Sequence, residues 1–355
     1  MRQFKVIEAS GTPYNIGFSH GSEGKEEVFR SIETYREMFL AASALTWDEA
    51  KERSRSYIPY IQTYDSEMLE ELQGIADGAG VELEDILALN ARSEVILMQG
   101  EPSTLTNGCT SLAVMPEATL GKETFLAQNW DWKGSQIEAM LVLKIKQENK
   151  PDITMVTEGG LIGKVGFNSA GIGVCLNALG TVGNPKGLPL HVILRGILNS
   201  ETISDAISRI NGFPNACAGN FLIASRSGEA INLEKSPVDF EAIYPTSGIL
   251  VHSNHFLTDR LKSADTVRFL AHDSFLRYGI AQKILDAKKG RINQETIQSI
   301  LKNHKDYPDS ICRHEDSKDP VSDRKCTVFS IIMNMTTLEM WLICGNPCEN
   351  TYSQV

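Results

Sequence analysis

The sequence predicts an α+β fold in which antiparallel sheet is layered with helices, and three observations carry that prediction. The first hundred residues show helical periodicity and capping signals. The middle and the end of the chain break into short β-type runs punctuated by Gly, Asn, Asp and Pro. The helices that interrupt those runs come in pairs, which is not the strict strand–helix alternation of a parallel sheet. No long linker, low-complexity segment or clear internal repeat divides the chain. Its 355 residues suffice for one large domain or two small ones.

The helical half begins at Thr12-Pro13, a cap followed by a first-turn proline, and runs over 12–42. Residues 67–79 place Met68, Leu69, Leu72, Ile75 and Ala76 at helical spacing, with Gly80 as a stop, and 82–95 repeat the pattern. Strands are predicted over 111–114, 124–127, 140–145, 153–156 and 172–176. Helices follow over 190–199 and 203–210, then strands over 221–224, 230–233 and 249–252. Two more helices, 266–287 and 294–303, precede a closing pair of strands, 327–333 and 338–343, joined by a short polar turn.

Composition removes several classes of function. A net charge of −11 argues against a general nucleic-acid binder, which needs an excess of Lys and Arg. No run of about 18 apolar residues marks a membrane span. Met1-Arg2-Gln3-Phe4-Lys5 does not lead into a signal-peptide core, and Tyr352-Ser353-Gln354-Val355 matches no simple retention or peroxisomal signal. An intracellular, reducing location is the expectation. The seven cysteines, at 109, 175, 217, 312, 326, 344 and 348, are scattered and odd in number, so no disulfide scaffold is expected. Cys344 and Cys348 flank a turn, and no His or Cys pair at zinc-ligand spacing accompanies them, so neither a metal site nor a cofactor is expected.

Several motifs fail on inspection. The segment from Gly159 to Gly166 lacks the spacing of a phosphate loop, and Val165 stands where Ser or Thr would hold magnesium; it reads as a glycine-rich strand-turn element. There is no Gly-x-Ser-x-Gly elbow and no His-Glu-x-x-His pattern.

Cys109 stands out against that background. A cysteine between a helical segment and a strand is most simply core packing. Here Asn107-Gly108 precede it, and Gly permits a turn that would bring a thiolate to the Gly108 carbonyl. The strand that follows would hold the thiol rigidly. Downstream lies Gln128-Asn129-Trp130-Asp131-Trp132, either a turn with two packing indoles or the mouth of a pocket. A carboxylate between two indoles is costly without a charged or hydrogen-bonded partner, and a protonated amine is one such partner.

These segments, taken with others, resemble the fungal acyl-coenzyme A:6-aminopenicillanic acid (isopenicillin N) acyltransferases, N-terminal-nucleophile proteins related to penicillin V acylase and the bile salt hydrolases. The likeness runs through nearly the whole chain. It includes the segment from Gly11 to Gly17, Gly74-Ile75-Ala76-Asp77-Gly78-Ala79, Gly108-Cys109-Thr110, Gln128-Asn129-Trp130-Asp131, the segment from Ile162 to Gly171, Asn177-Ala178-Leu179, His252-Ser253-Asn254-His255 and Ser310-Ile311-Cys312-Arg313.

The resemblance implies a four-layer αββα sandwich and a precursor that cuts itself between Gly108 and Cys109. Residues 1–108 would form a small, helical chain and 109–355 a large chain carrying the nucleophile, the two staying together as a heterodimer. Its new α-amine, with a reference pKa of about 7.7–8.0, would take the thiol proton in place of a histidine. By the same resemblance, Asp131 orients the Cys109 amine and thiol. Asn254 donates to the oxyanion, helped by Asn177 or a backbone N–H, and Arg313 pairs with the Asp131 region. Ser236, in Glu234-Lys235-Ser236-Pro237, reads as structural or substrate-side. The partners implied are a small-molecule acyl amide or acyl-CoA and an amine acceptor, with no nucleic acid and no membrane. Lys144, Lys146 and Lys150 could offer coenzyme A a local basic patch. An amide hydrolase that does not use acyl-CoA is the alternative, acting on a penicillin, an N-acyl amino acid or a peptide amide. A non-catalytic binder of acylated metabolites differs in class, but it has no need of a nucleophile.

Overall fold

The computed structural model describes residues 3–97, 108–181, 186–245, 247–267, 271–321 and 323–355. In chain order, strand β1 (Lys5–Gly11) leads into helices α1 (Pro13–Glu23), α2 (Lys25–Ser43), α3 (Trp47–Ser54), α4 (Ile58–Tyr64), α5 (Ser66–Ala79), α6 (Leu83–Asn90) and α7 (Arg92–Leu97). Next come strands β2 (Gly108–Val114), β3 (Phe125–Trp132), β4 (Met140–Gln147), β5 (Ile153–Glu158), β6 (Val165–Asn168) and β7 (Ile172–Ala178), and helices α8 (Leu190–Leu198) and α9 (Ile203–Asn211). Strands β8 (Gly219–Ser225), β9 (Ala230–Lys235), β10 (Phe240–Ile243) and β11 (Ile249–His252) precede α10 (Asp273–Lys288) and α11 (Gln294–Leu301). The chain closes with β12 (Cys326–Asn334), β13 (Glu339–Cys344) and β14 (Ser353–Gln354).

Among the described residues the strands form two sheets. One has eight strands in the order β1-β4-β5-β6-β7-β8-β9-β10, the other six in the order β11-β2-β3-β12-β13-β14. All pairings are antiparallel except β1 with β4. The sheets stack through β2 and β3 against β7. Helices α1, α2 and α8 cover the larger sheet, and α10 and α11 cover the smaller one. The result is an αββα sandwich, as expected. One core fills the space between the sheets and beneath the first helical layer. A second, with Leu112, Val114, Val251, Leu285, Ile297 and Leu301, lies between the smaller sheet and α10 and α11. No helix among the described residues is long and apolar enough to cross a membrane.

Local chemistry accounts for the elements. Thr12 caps α1 by accepting from the Asn15 N–H at 3.3 Å, with Pro13 in the first turn, as the sequence predicts. Two of the recognised motifs turn out to be one packing device. A Cβ at Gly17 would lie 2.0 Å from the Glu71 carbonyl oxygen, and one at Gly74 would lie 2.2 Å from that of Tyr14. Only glycine lets α1 and α5 approach backbone to backbone. The glycine-rich segment after β5 has the same logic, since a Cβ at Gly163 would strike the backbone of α8 at 2.3 Å. It serves packing, not phosphate.

Three expectations need correction. The N-terminal region is not purely helical: β1 was missed because only Ile7 and Ala9 of its seven residues are buried, too few to show alternation. Strand β3 does not end at the polar-aromatic cluster but includes it, because Gln128 and Asn129 find partners in the layers on either side and Asp131 finds Thr327 on the neighbouring strand β12. Helix α10 starts at Asp273, later than predicted, and residues 268–270 lie outside the described residues.

Candidate active site

Cys109 is the second residue of β2, a strand buried on both faces. Alternation divides its side chains. Cys109 faces the other sheet, as does Ser111, whose hydroxyl donates to Asn177 Oδ1 of β7 at 2.6 Å. Thr110 and Leu112 face α10 and α11. In register with β2, Asp131 lies opposite Gly108, and Trp130 lies opposite Cys109. The carboxylate therefore stands on the backbone side of Cys109, across the strand from the thiol. Asn107, the first residue of the predicted turn, lies outside the described residues.

A Cβ at Gly108 would sit 2.8 Å from both Cβ and Oδ2 of Asp131 and 3.1 Å from Arg313 Nε. Position 108 thus admits glycine alone, for reasons of space. Asp131 is fully buried. Its Oδ1 accepts from Thr327 at 2.7 Å, and its Oδ2 has no hydrogen-bond partner although Arg313 Nε lies 3.6 Å away. Burial pushes the carboxyl pKa up, against Arg313 and Arg277, which favour the anion.

The charges continue in alternation. Arg313 pairs with Asp273 and Asp309, and Asp273 accepts from Arg277 Nε at 2.8 Å. Against the penalty of burial, Arg277 and Arg313 hold Asp273 below the usual carboxylate range. The Arg277 guanidinium then reaches the backbone of Cys109, donating to its carbonyl at 2.5 Å, and donates to Thr110 Oγ1 at 3.0 Å and to Asn254 Oδ1 at 2.9 Å. Asn254 Oδ1 also accepts from the Cys109 N–H at 2.8 Å, while its Nδ2 donates to the Ala178 carbonyl at 3.1 Å.

The thiol side differs. Cys109, Gln128, Trp130, Lys164, Ala178 and His191 are among the residues lining a cavity of about 20 Å³, room for about one water. Gln128 ties β3 to β7 through both Leu176 backbone groups, at 2.7 and 3.1 Å. Lys164 Nζ lies 3.4 Å from the Trp130 ring centroid and 2.6 Å from Glu158 Oε1, and Glu158 also pairs with Arg92 at 3.0 Å. Burial, helped by Asp131, pushes the Cys109 thiol up to about 11, against the pull of Arg277, Lys164 and Gln128. Burial likewise brings Lys164 down to about 8.

Of the residues singled out by sequence, Gly108, Cys109, Asp131, Asn254 and Arg313 converge on one point. Asn177 is near by chain, its Oδ1 taken by Ser111 and Asn220 and its buried Nδ2 without a hydrogen-bond partner. Ser236 is used up in the β9–β10 turn, accepting from the Val238 and Asp239 N–H groups. Lys150 is committed to Asp65 and Glu67 at 3.0 and 2.6 Å, so it does not add to a free basic patch. Arg277, Asp273, Gln128 and Lys164 were missed. The Asp273–Arg277 spacing of four was a usable signal, but it reads as an ordinary exposed helix pair.

The acyl-coenzyme A:6-aminopenicillanic acid acyl-transferase family matches residues 119–349. That span contains Asp131, Asn177, Asn254 and Arg313 and begins after Cys109. The chain is 32% identical, over 96% of its length and 92% of the relative's, to the 40 kDa form of acyl-coenzyme A:6-aminopenicillanic-acid-acyltransferase from Emericella nidulans. The chain belongs to this acyltransferase family. It is accordingly an enzyme of acyl transfer or amide hydrolysis. Among solved structures, a conjugated bile acid hydrolase from Clostridium perfringens is similar at a TM-score of 0.45, with 13% identity and 70% and 96% of the two chains covered. Penicillin V acylase from Agrobacterium tumefaciens is similar at 0.47, with 12% identity and 66% and 83% covered.

Proposed function

We propose that the chain is a self-cleaving cysteine acyltransferase or amidase working through a thioester on Cys109. The observation that carries this is the grip on the backbone of Cys109, at the 108–109 junction. Its nitrogen is held by Asn254, the Cys109 carbonyl by Arg277, and a buried Asp131 oxygen without a hydrogen-bond partner lies against Gly108, where no side chain fits. In the cut, the Cys109 sulfur bonds to the Gly108 carbonyl carbon, the C–N bond breaks, and the thiol proton ends on the departing nitrogen. Water then hydrolyses the thioester, giving the Gly108 carboxylate and regenerating the thiol.

The freed amine supplies what the site lacks. A thiol held near 11 is almost wholly protonated at neutral pH, and no histidine bonds to it. The amine takes the thiol proton, with Asp131 Oδ2 and Asn254 Oδ1 orienting it. Asn254 Nδ2 then exchanges Ala178 for the oxyanion of the tetrahedral intermediate, and Asn177 Nδ2 is the second donor. The intact chain's cavity admits a water but no acyl group, and Arg92 and Ser93 of α7 contribute to its wall, so release of the small chain's end opens it. Residues 1–108 stay with 109–355 because β1 pairs with β4 and α2 packs on β5.

Denaturing electrophoresis of wild type beside Cys109→Ala tests the cut. Two fragments are expected, 1–108 and 109–355, with the variant intact; an intact wild type would overturn the mechanism. Mass spectrometry of products from a phenylacetyl or fatty-acyl donor, with and without a free amine, separates transfer from hydrolysis. If only free acid forms, the transferase half of the reading is lost.

A further inference from the structure

Spacing along the chain argued against a metal centre, but the fold assembles one set of ligands from three separate segments. His304 follows α11. Cys312 and His314 flank Arg313. Cys348 closes the turn after β13. Their four ligand atoms all lie within 4.8 Å of one another. His314 Nε2 is 3.2 Å from His304 Nε2, 3.3 Å from Cys348 Sγ and 3.6 Å from Cys312 Sγ.

Those contacts cannot all be hydrogen bonds. A ring nitrogen carries either one N–H or one lone pair, so His314 Nε2 can serve one of its three neighbours. A cation at the centre satisfies all of them. With metal–sulfur bonds of about 2.3 Å and metal–nitrogen bonds of about 2.0–2.1 Å, a tetrahedron has N–N edges of about 3.3 Å and S–N edges of about 3.6 Å. The three separations at His314 Nε2 lie within about 0.3 Å of these edges. The surroundings suit ligands too. The Asn346 amide donates to Cys312 Sγ at 3.6 Å, and Glu349 lies 3.9 Å from His314 Nδ1, where a carboxylate fixes the tautomer of a ligating imidazole.

We propose that His304, Cys312, His314 and Cys348 bind a zinc ion. Two thiolates and two imidazoles in a tetrahedron suit zinc, and four protein ligands leave no open position, so the ion is structural. Its effect falls on the residue between two of its ligands. Arg313 donates its N–H to Thr327 Oγ1 at 3.0 Å, and its carbonyl accepts from Asn346 at 2.6 Å. The ion locks that segment to the turn after β13 and so fixes the backbone from which the Arg313 guanidinium reaches Asp131. Arg313 is then a residue positioned by metal, with no metal in the chemistry.

The test is metal content, measured on the full chain and on Cys109→Ala so that the result does not depend on self-cleavage. Protein reconstituted with zinc under reducing conditions and passed through a desalting column should retain one equivalent. Cys348→Ser and His304→Ala, both at exposed positions, should lose most of it, and the double variant all of it. Cobalt in place of zinc should give tetrahedral ligand-field bands and a thiolate charge-transfer band, both abolished by Cys348→Ser. If the variants do not fold, titration of wild type with a mercurial should release zinc in step with the loss of two thiols. Wild type that retains no zinc, zinc unaffected by the double variant or by the mercurial, or a Cys312–Cys348 disulfide in freshly prepared protein would each overturn the proposal.

Discussion

The two faces of β2 treat the same residue differently. On the side toward α10, Cys109 is met through its backbone by an alternating chain of charges, Arg277, Asp273, Arg313 and Asp131, whose hydrogen bonds end on the Cys109 carbonyl and on Asn254. On the side toward the other sheet, its thiol meets a cavity bounded by Trp130, Gln128 and Lys164. In the reading proposed above, the difference separates peptide cutting from acyl holding by direction. The outer network holds the N–H and the carbonyl of Cys109 and, in our reading, the amine that the cut leaves behind. The inner cavity sees only sulfur and whatever acyl group it carries.

The comparison breaks most sharply at Asp131. Asp131→Asn keeps the shape but removes the charge that would hold the amine, and the cost expected for a misplaced general base is about 10²–10⁴-fold. The kcat/KM of the matured enzyme should fall by that order, and fragment formation on a gel should slow as well, because Asp131 already lies against Gly108 before the cut. A variant that cuts normally and loses only turnover would show that the outer network serves catalysis alone. Gly108→Ala probes the same face without touching charge. Its Cβ would overlap Asp131, so cutting should slow while a pre-cut protein, assembled from 1–108 and 109–355 expressed separately, should turn over normally. A smaller loss is expected at Arg277→Met. Removing a charged donor costs about 1.5–3 kcal/mol, roughly 10–100-fold in rate, read as slower fragment formation. Because Arg277 meets Cys109 only at its carbonyl and is not itself among the residues lining the cavity, acyl-donor preference should not change.

The two faces were unequally legible in the sequence. The glycine before Cys109 and the cost of a carboxylate between indoles at Asp131 marked both residues but left plain packing open, and their roles came through the family likeness. Asn254 and Arg313 came only through the family likeness, since an isolated Asn or Arg carries no local signal. Arg277 was illegible because its partner four residues earlier makes it look like a surface pair, whereas both side chains turn inward from α10. Lys164 was read within a failed phosphate loop, and nothing local revealed that it lies over Trp130. Ten of the strands and most of the helices were readable from local pattern, but β1, β6, β10 and β14 were not, β1 because its two buried residues are too few to declare a strand, and the stacking of two sheets came only through the family likeness. The His304, Cys312, His314 and Cys348 cluster was invisible for a different reason. Its ligands come from three segments, and only folding sets their spacing.

The inner face has the smallest expected effect and the clearest sign. Lys164 favours the Cys109 thiolate, so Lys164→Met should raise the thiol pKa. A nearby unit charge shifts such a group by about one unit or more. The acidic limb of kcat/KM against pH should therefore move up by about one unit, lowering kcat/KM at pH 7 about tenfold, while fragment formation changes less than in Asp131→Asn. The Lys164 ammonium itself titrates near 8, so its help is complete below that pH and fades above it. Wild type and variant should converge on the alkaline side. Convergence there with divergence at pH 6–7 identifies a charge effect on sulfur. A uniform loss at every pH would instead mean that removing Lys164 has disturbed Glu158 and Arg92, and that the inner face holds the cavity's shape more than the thiol's charge.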